Sequence, residues 1–219
     1  MNDQILQKGL VKTFDPSRIS NKPEILGKYS RDLSFVSPIP PKYVVWASNT
    51  EEIENLLKLA NRMKFSVIPI SSSSEHRYHG DTIPKKKNTV ILDLSRMDKI
   101  IHIDKKNRVV MVEPGVTFKQ LIPRLKKMGL RIMTPFQPRS SKSVLASALE
   151  RVPTCIPRYH WDTSDPLLCT EVVFGTGKLF RTGSAAGPGR LKDMQRTGQA
   201  QVNPMGPTQF SPFRIIQGS

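Results

Sequence analysis

The clearest periodicity along the chain is helical and begins after Asn49. Ile53, Leu56, Leu57, Ala60 and Met63 recur at three- and four-residue spacing and define one apolar face. Asn49 stands where a cap would satisfy the free N–H groups, Glu52 where it would reach back, and Glu51 with Glu52 suits the positive helix end. On either side the apolar residues run together, at Tyr43–Trp46 and at Ser66–Ile70, which makes a strand–helix–strand unit with a right-handed crossover. Further extended runs follow at residues 89–94, 100–104 and 108–113, the last two joined by the polar turn Lys105, Lys106, Asn107. Thr117 is placed to cap a second helix, with Phe118, Leu121, Ile122 and Leu125 along one side and Pro123 in its first turns. Gly129 stops it, and residues 130–133 return as a strand. Ahead of Tyr43, the prolines at 16, 23, 38, 40 and 41 interrupt any long period, so residues 1–41 read as an irregular leader with one short helix near Pro23.

The strand ending at Ile70 runs into Ser71, Ser72, Ser73, Ser74, Glu75, His76, Arg77, Tyr78, His79 and Gly80. Four successive serines supply backbone N–H groups and hydroxyls on one turn, and converging N–H groups make an anion site whose usual occupant is a phosphate pair. The stretch reads as a dinucleotide-binding loop. Later, residues 135–150 form a loop running into a helix, with Val144, Leu145, Ala148 and Leu149 as its apolar positions. Residues 169–183 form a hairpin turning at Gly175, Thr176 and Gly177, and from Ser184 glycine and proline crowd a loop-like polar stretch. Phe210, Phe213, Ile215 and Ile216 suggest one last element docking on the core.

Composition narrows the classes. No apolar run approaches the roughly 18 residues a membrane helix needs, and the N-terminus lacks a basic segment leading into an apolar one. Cys155 and Cys169 are too few for a disulfide framework or a metal cage, and a cytoplasmic location is the expectation. The net charge of +16 could signal nucleic acid, but the lysines and arginines are dispersed, with no aromatic-rich sheet or basic recognition helix beside them. No nucleic-acid partner is expected; a basic surface serves an anionic cofactor, a carboxylate substrate or an acidic subunit equally well.

The order of Pro69-Ile70-Ser71, residues 90–97 (Val-Ile-Leu-Asp-Leu-Ser-Arg-Met) and Glu113-Pro114-Gly115-Val116 resembles the FAD-binding domain of vanillyl-alcohol oxidase and p-cresol methylhydroxylase (PCMH-type) flavoproteins, a superfamily that includes D-lactate and glycolate dehydrogenases. The resemblance runs from about Tyr43 onward. It implies an α+β fold of two α/β subdomains with FAD between them, a small one over residues 42–98 and a larger one over 99–219, incomplete at its C-terminal end and without the substrate cap. The chain is accordingly expected to be a fragment or one half of a split protein. The implied cofactor contacts are Ile70, Ser71, Ser72, Ser73, Ser74, Glu75, His76, Pro135, Ser143, Val144, Ser147 and Val172. The implied activity is FAD-dependent oxidation of a hydroxylated small molecule, an alkylphenol-like alcohol or a 2-hydroxy acid, with a cytochrome or iron–sulfur subunit as a candidate electron acceptor. The alternative is a flavin-free module serving as a scaffold subunit.

The sequence departs from the family at its loop, where Ser73 and Ser74 replace glycines that would accept positive φ and Glu75 brings a carboxylate toward a diphosphate. The glycine pair usual beside Ser143 is also replaced, by Val144, Leu145 and Ala146. In such proteins the flavin takes the hydride, so no side chain here is assigned as catalytic. Some branches attach FAD through a loop histidine, and His76 falls near that place; a plain surface histidine is the commoner reading. His79, His102 and His160 lack metal-ligand spacing, no metal is expected, and Tyr159, His160 and Trp161 read as a packed aromatic corner.

Overall fold

Four strands make the first sheet of the computed structural model, which describes residues 3–132, 134–135, 139–150, 167, 169–183 and 186–197. Central β4 (Thr89–Asp93) lies between β2 (Tyr43–Trp46) and β3 (Ser66–Ile70), parallel to both, and the short β1 (Ile19–Ser20) pairs antiparallel with β2. Every residue of β4 is buried, as a parallel strand covered on both faces requires. Alternation then sorts the side chains. Tyr43, Val45, Val90 and Leu92 face a layer of α1 (Asp3–Thr13) and α3 (Thr50–Met63), while Val44, Ile91 and Ile70 meet Ile25, Leu26 and Tyr29 of α2 (Pro23–Tyr29) on the other face.

Residues 3–41 are not the irregular leader their prolines suggest. Helix α1 ends at Thr13, ahead of the first proline, and its Leu6 and Leu10, one turn apart, are fully buried, with Phe14 just beyond. Pro23 begins α2 rather than breaking it, because a missing N–H is no loss at the first helical position. Helix α3 is capped as expected: Asn49 Oδ1 accepts from Glu52 N at 3.0 Å. Glu52 reaches one residue further back, accepting from Ser48 N at 2.8 Å, and takes Arg18 as a two-pronged partner at 2.6 and 2.7 Å.

The second unit begins with the hairpin of β5 (Ile100–Asp104) and β6 (Val109–Val112). Helix α4 (Phe118–Lys127) lays Leu121 and Leu125 on Ile100, Ile103, Val110 and Val112. Thr117 and Gln120 form its capping box, and Pro123 lies inside the helix rather than in its first turn, on the exposed side. Residues 130–132 are not a strand; Leu130 and Ile132 fill the same core from an irregular segment. After α5 (Val144–Leu149) comes an antiparallel sheet of β7 (Glu171–Val173), β8 (Leu179–Arg181) and β9 (Gly187–Pro188), followed by α6 (Leu191–Arg196), so part of the stretch beyond Ser184 is ordered structure rather than loop. That sheet leans on α3, where Asn61 Nδ2 donates to Gly175 O at 2.5 Å.

The two units meet without side chains between them at Gly115. Its N–H donates to Met97 O at 2.7 Å, and a Cβ there would stand 2.6–2.8 Å from the carbonyl oxygens of Leu94, Ser95 and Met97. Glycine is required for that approach. It brings the loops following β4 and β6 together at the edge where β3 also ends.

Candidate functional site

The C-terminal ends of parallel strands are where open α/β sheets bind ligands, and the serine loop leaves β3 at that edge. No residue from Ser71 to Glu75 takes positive φ; Ser73 is extended (φ −64°, ψ 166°) and Ser74–His76 form one 3-10 turn. The strain expected of serines in glycine positions is therefore absent, and the left-handed residue of this stretch is Gly80 at φ +76°. Among the described residues the N–H groups of Ser72, Ser73 and Ser74 have no acceptor, while those of His76 and Arg77 close the turn on Ser73 O and Ser74 O. Three adjacent free donors on a partly open loop form an anion-receptive edge.

The opposite wall is the start of α5. Ser143 N donates to Ser72 Oγ at 3.1 Å, so the serine loop and the helix entry touch directly. Ser143 Oγ accepts from Ala146 N at 3.1 Å and donates to Pro114 O at 2.6 Å, which makes it a buried cap. Its hydroxyl is thus committed to structure, and only the neighbouring backbone is left to face a ligand. Val144 is half-buried in the core of the second unit, and Ser147 is buried one turn on.

A polar latch surrounds this contact. Glu75 accepts from Ser141 Oγ at 3.1 Å, Ser141 Oγ lies 2.7 Å from His76 Nε2, and Arg139 donates to Glu75 O at 2.8 Å. The hydroxyl of Ser73 together with the Glu75 N–H holds the Glu75 carboxyl below its ordinary value, assisted by Ser141 and His76. Those donors keep the carboxylate ionised and engaged within the latch, and the Arg139 guanidinium lies on the carbonyl of the same residue. Lys142, almost fully buried, pairs with Glu150, and both reach Tyr78 OH at 3.4 Å. Burial pushes the His76 imidazole down, with Arg139 and Lys142 adding to it against Glu75 and Glu150.

Behind the loop, Arg77 is buried with Nη2 on Lys28 O at 2.9 Å and its guanidinium over the Tyr29 ring, while Nε and Nη1 have no partner. Tyr29 OH donates to Asp93 at 2.6 Å, and burial followed by the Asp93 charge pushes the phenol upward. Asp32 accepts from Gly80 N at 2.7 Å and so ties residues 30–36 to the loop.

Of the expected contacts, Ile70 to His76 and Ser143 come together at this edge. Val144 and Ser147 follow Ser143 on its helix; Pro135 is buried; Val172 lies on β7, paired with Phe180 in the separate sheet that leans on α3. Sequence reasoning missed Arg77, Tyr78, Ser141, Lys142 and Glu150. Apart from the Lys142–Glu150 pair, the latch joins residues 64–72 apart in sequence, and no local pattern announces that. Cys169 donates its thiol to Thr182 O and burial raises it, which suits a packed residue rather than a nucleophile. His79 and His102 are exposed. Among the described residues no three or more His, Cys, Asp or Glu gather as a metal site, and no helix is long and apolar enough to cross a membrane. Cys155, Tyr159, His160, Trp161 and the apolar cluster at 210–216 lie outside the described residues.

Comparison with known proteins bears on the family and the fold. The profile of the FAD binding domain family matches residues 41–183. The chain is 31% identical over 151 residues to the 4-cresol dehydrogenase [hydroxylating] flavoprotein subunit of Pseudomonas putida, covering 68% of this chain and 28% of that protein. It is 26% identical over 185 residues to a glycolate oxidase subunit of Bacillus subtilis, covering 84% of this chain and 37% of that protein. The crystal structure of p-cresol methylhydroxylase with substrate bound superposes with a TM-score of 0.73 at 26% identity, over 95% of this chain and 40% of the other. The chain therefore spans well under half the length of these relatives.

Proposed function

The chain belongs to the FAD binding domain family and has its α+β, p-cresol methylhydroxylase-like fold, and on that premise we propose that it forms the FAD-binding part of an oxidoreductase acting on a hydroxylated small molecule. The residues fit the cofactor. The free N–H groups of Ser72, Ser73 and Ser74 suit a diphosphate, Arg77 has unpartnered buried donors behind them, and the latch fixes the loop against the start of α5. FAD lies in this reading between the unit built on β4 and the unit built on β5 and β6. Bound there, FAD supplies hydride acceptance, chemistry no amino-acid side chain offers.

The protein's own part is to grip and orient. The serine edge holds the charged middle of the dinucleotide, while the Glu75–Ser141–His76 and Lys142–Glu150–Tyr78 contacts keep the two walls in register. Alkylphenol-like alcohols and 2-hydroxy acids are the substrate classes favoured by the 4-cresol and glycolate relatives. A separate electron-accepting subunit is in keeping with the flavoprotein-subunit relative, whose name implies companions.

The observation that carries this reading is the run of three unpaired N–H groups, and Ser74→Pro tests it. Proline deletes one donor without breaking an internal hydrogen bond, and it suits the first position of the turn because Ser73 is already extended. Titration of the purified protein with FAD, followed by flavin fluorescence, should show tight binding by wild type and about ten-fold or greater weakening in the variant, the worth of one hydrogen bond to a charged group. A wild-type protein that takes up no FAD ends the proposal and leaves the scaffold alternative.

A further inference from the structure

The hydrogen bonds around His76 fix its tautomer, and the tautomer determines which part of a ligand it can meet. Ser141 Oγ lies 3.1 Å from Glu75 Oε1 and 2.7 Å from His76 Nε2. The Glu75 carboxyl is ionised and brings no proton, so the single Ser141 proton must point at it. Ser141 then offers His76 only a lone pair, and Nε2 must carry the hydrogen. In a neutral imidazole that leaves Nδ1 as a bare acceptor, and Nδ1 is buried with no partner among the described residues. His76 itself is only 4% exposed, so water is a poor substitute.

A buried acceptor without a donor is costly, and a phosphate cannot relieve it, since an ionised phosphate oxygen only accepts. Groups that can are hydroxyls and amide-like N–H groups. We propose that His76 Nδ1 is a hydrogen-bond acceptor for a hydroxyl of bound FAD, from its ribityl chain or its ribose. The serine loop thus divides its labour: the backbone of Ser72–Ser74 takes the diphosphate, and two residues later His76 takes the adjoining polyol. This deepens the FAD reading and rests on it. The charged groups facing His76 are Glu75, Arg139, Lys142 and Glu150, two of each sign, and Tyr78 lies beyond the Lys142–Glu150 pair. The turn that carries His76 is closed by two backbone hydrogen bonds, His76 N on Ser73 O and Arg77 N on Ser74 O.

Two substitutions separate the ring nitrogens. His76→Asn places an amide oxygen near Nδ1 and drops the Ser141 contact; His76→Gln keeps a polar atom near Nε2 and drops the Nδ1 acceptor. By calorimetric titration with FAD, both variants should weaken, and H76Q, which lacks the Nδ1 acceptor, should bind about ten-fold more weakly than H76N, the worth of one such hydrogen bond. Nitrogen-15 spectra of wild type labelled at histidine, taken with and without FAD, should show His76 neutral with the proton on Nε2 throughout. Equal affinities of the two variants, the reverse order, or a proton on Nδ1 in the FAD complex would overturn the assignment. Wild type failing to bind FAD at all would instead defeat the reading on which it rests.

Discussion

At the scale of single residues, the most heavily used side chain outside the loop is Glu52. It lies at the third position of α3, where a glutamate reaching back was expected, but its partner Arg18 comes from the 3-10 turn before β1, 34 residues away. Burial alone would raise the Glu52 carboxyl; Arg18 and the Ser48 N–H outweigh it and hold the group below its ordinary value. A depressed carboxylate stabilises the fold above its unfolded pKa, about 4.3, and that contribution is lost as the pH falls through the folded value. Glu52→Gln should therefore cost about 1.5–3 kcal/mol near neutral pH, the range for hydrogen bonds to a charged group. The gap to wild type, complete near neutral pH, should narrow only in more acidic solution, as the pH falls through the depressed folded value of Glu52. Urea titrations of both proteins at neutral and acidic pH measure this, and a pH-independent gap would show that the charge is not what Arg18 needs.

At the scale of elements, helix α1 shows how a correct rule can be applied to the wrong residues. Prolines do end helices, yet residues 3–13 precede all of them and place Leu6 and Leu10 one turn apart against Leu56 and Leu59 in the same core. Leu10→Ala should lower stability by about 2–5 kcal/mol, as for other buried leucines. Guanidinium unfolding measures it, and a cost under about 1 kcal/mol would mean that α1 is a dispensable appendage. The strands and helices from Tyr43 to Lys127 were legible because each carries its own period and caps. Residues 130–132 were not, since two apolar residues separated by one fit a strand as well as an irregular segment filling a core. The serine loop was legible as an anion site by composition, but not in form: the free N–H groups belong to the extended approach and the first residue of a 3-10 turn, with no left-handed residue among them.

At the scale of the whole molecule, the site depends on two units held at a fixed distance, and Gly115 sets that distance. An alanine methyl would push against three carbonyl oxygens that belong to backbone and cannot rotate away. Gly115→Ala should cost about 1–3 kcal/mol through overpacking and should weaken FAD binding as well, because the serine loop and Ser143 would separate. Thermal unfolding and FAD titration of the same variant check both, and a destabilised protein with unchanged FAD affinity would uncouple the junction from the site. The amino-acid sequence by itself determined the alternation of strands and helices, the serine-rich turn after β3 and the match to a flavoprotein domain, because each is written in neighbouring residues. Tertiary structure alone decided which atoms are left free. Hydrogen bonding is settled by proximity, and the partners that occupy Ser143, orient Ser141 and leave Nδ1 of His76 unpaired come from segments far apart along the chain.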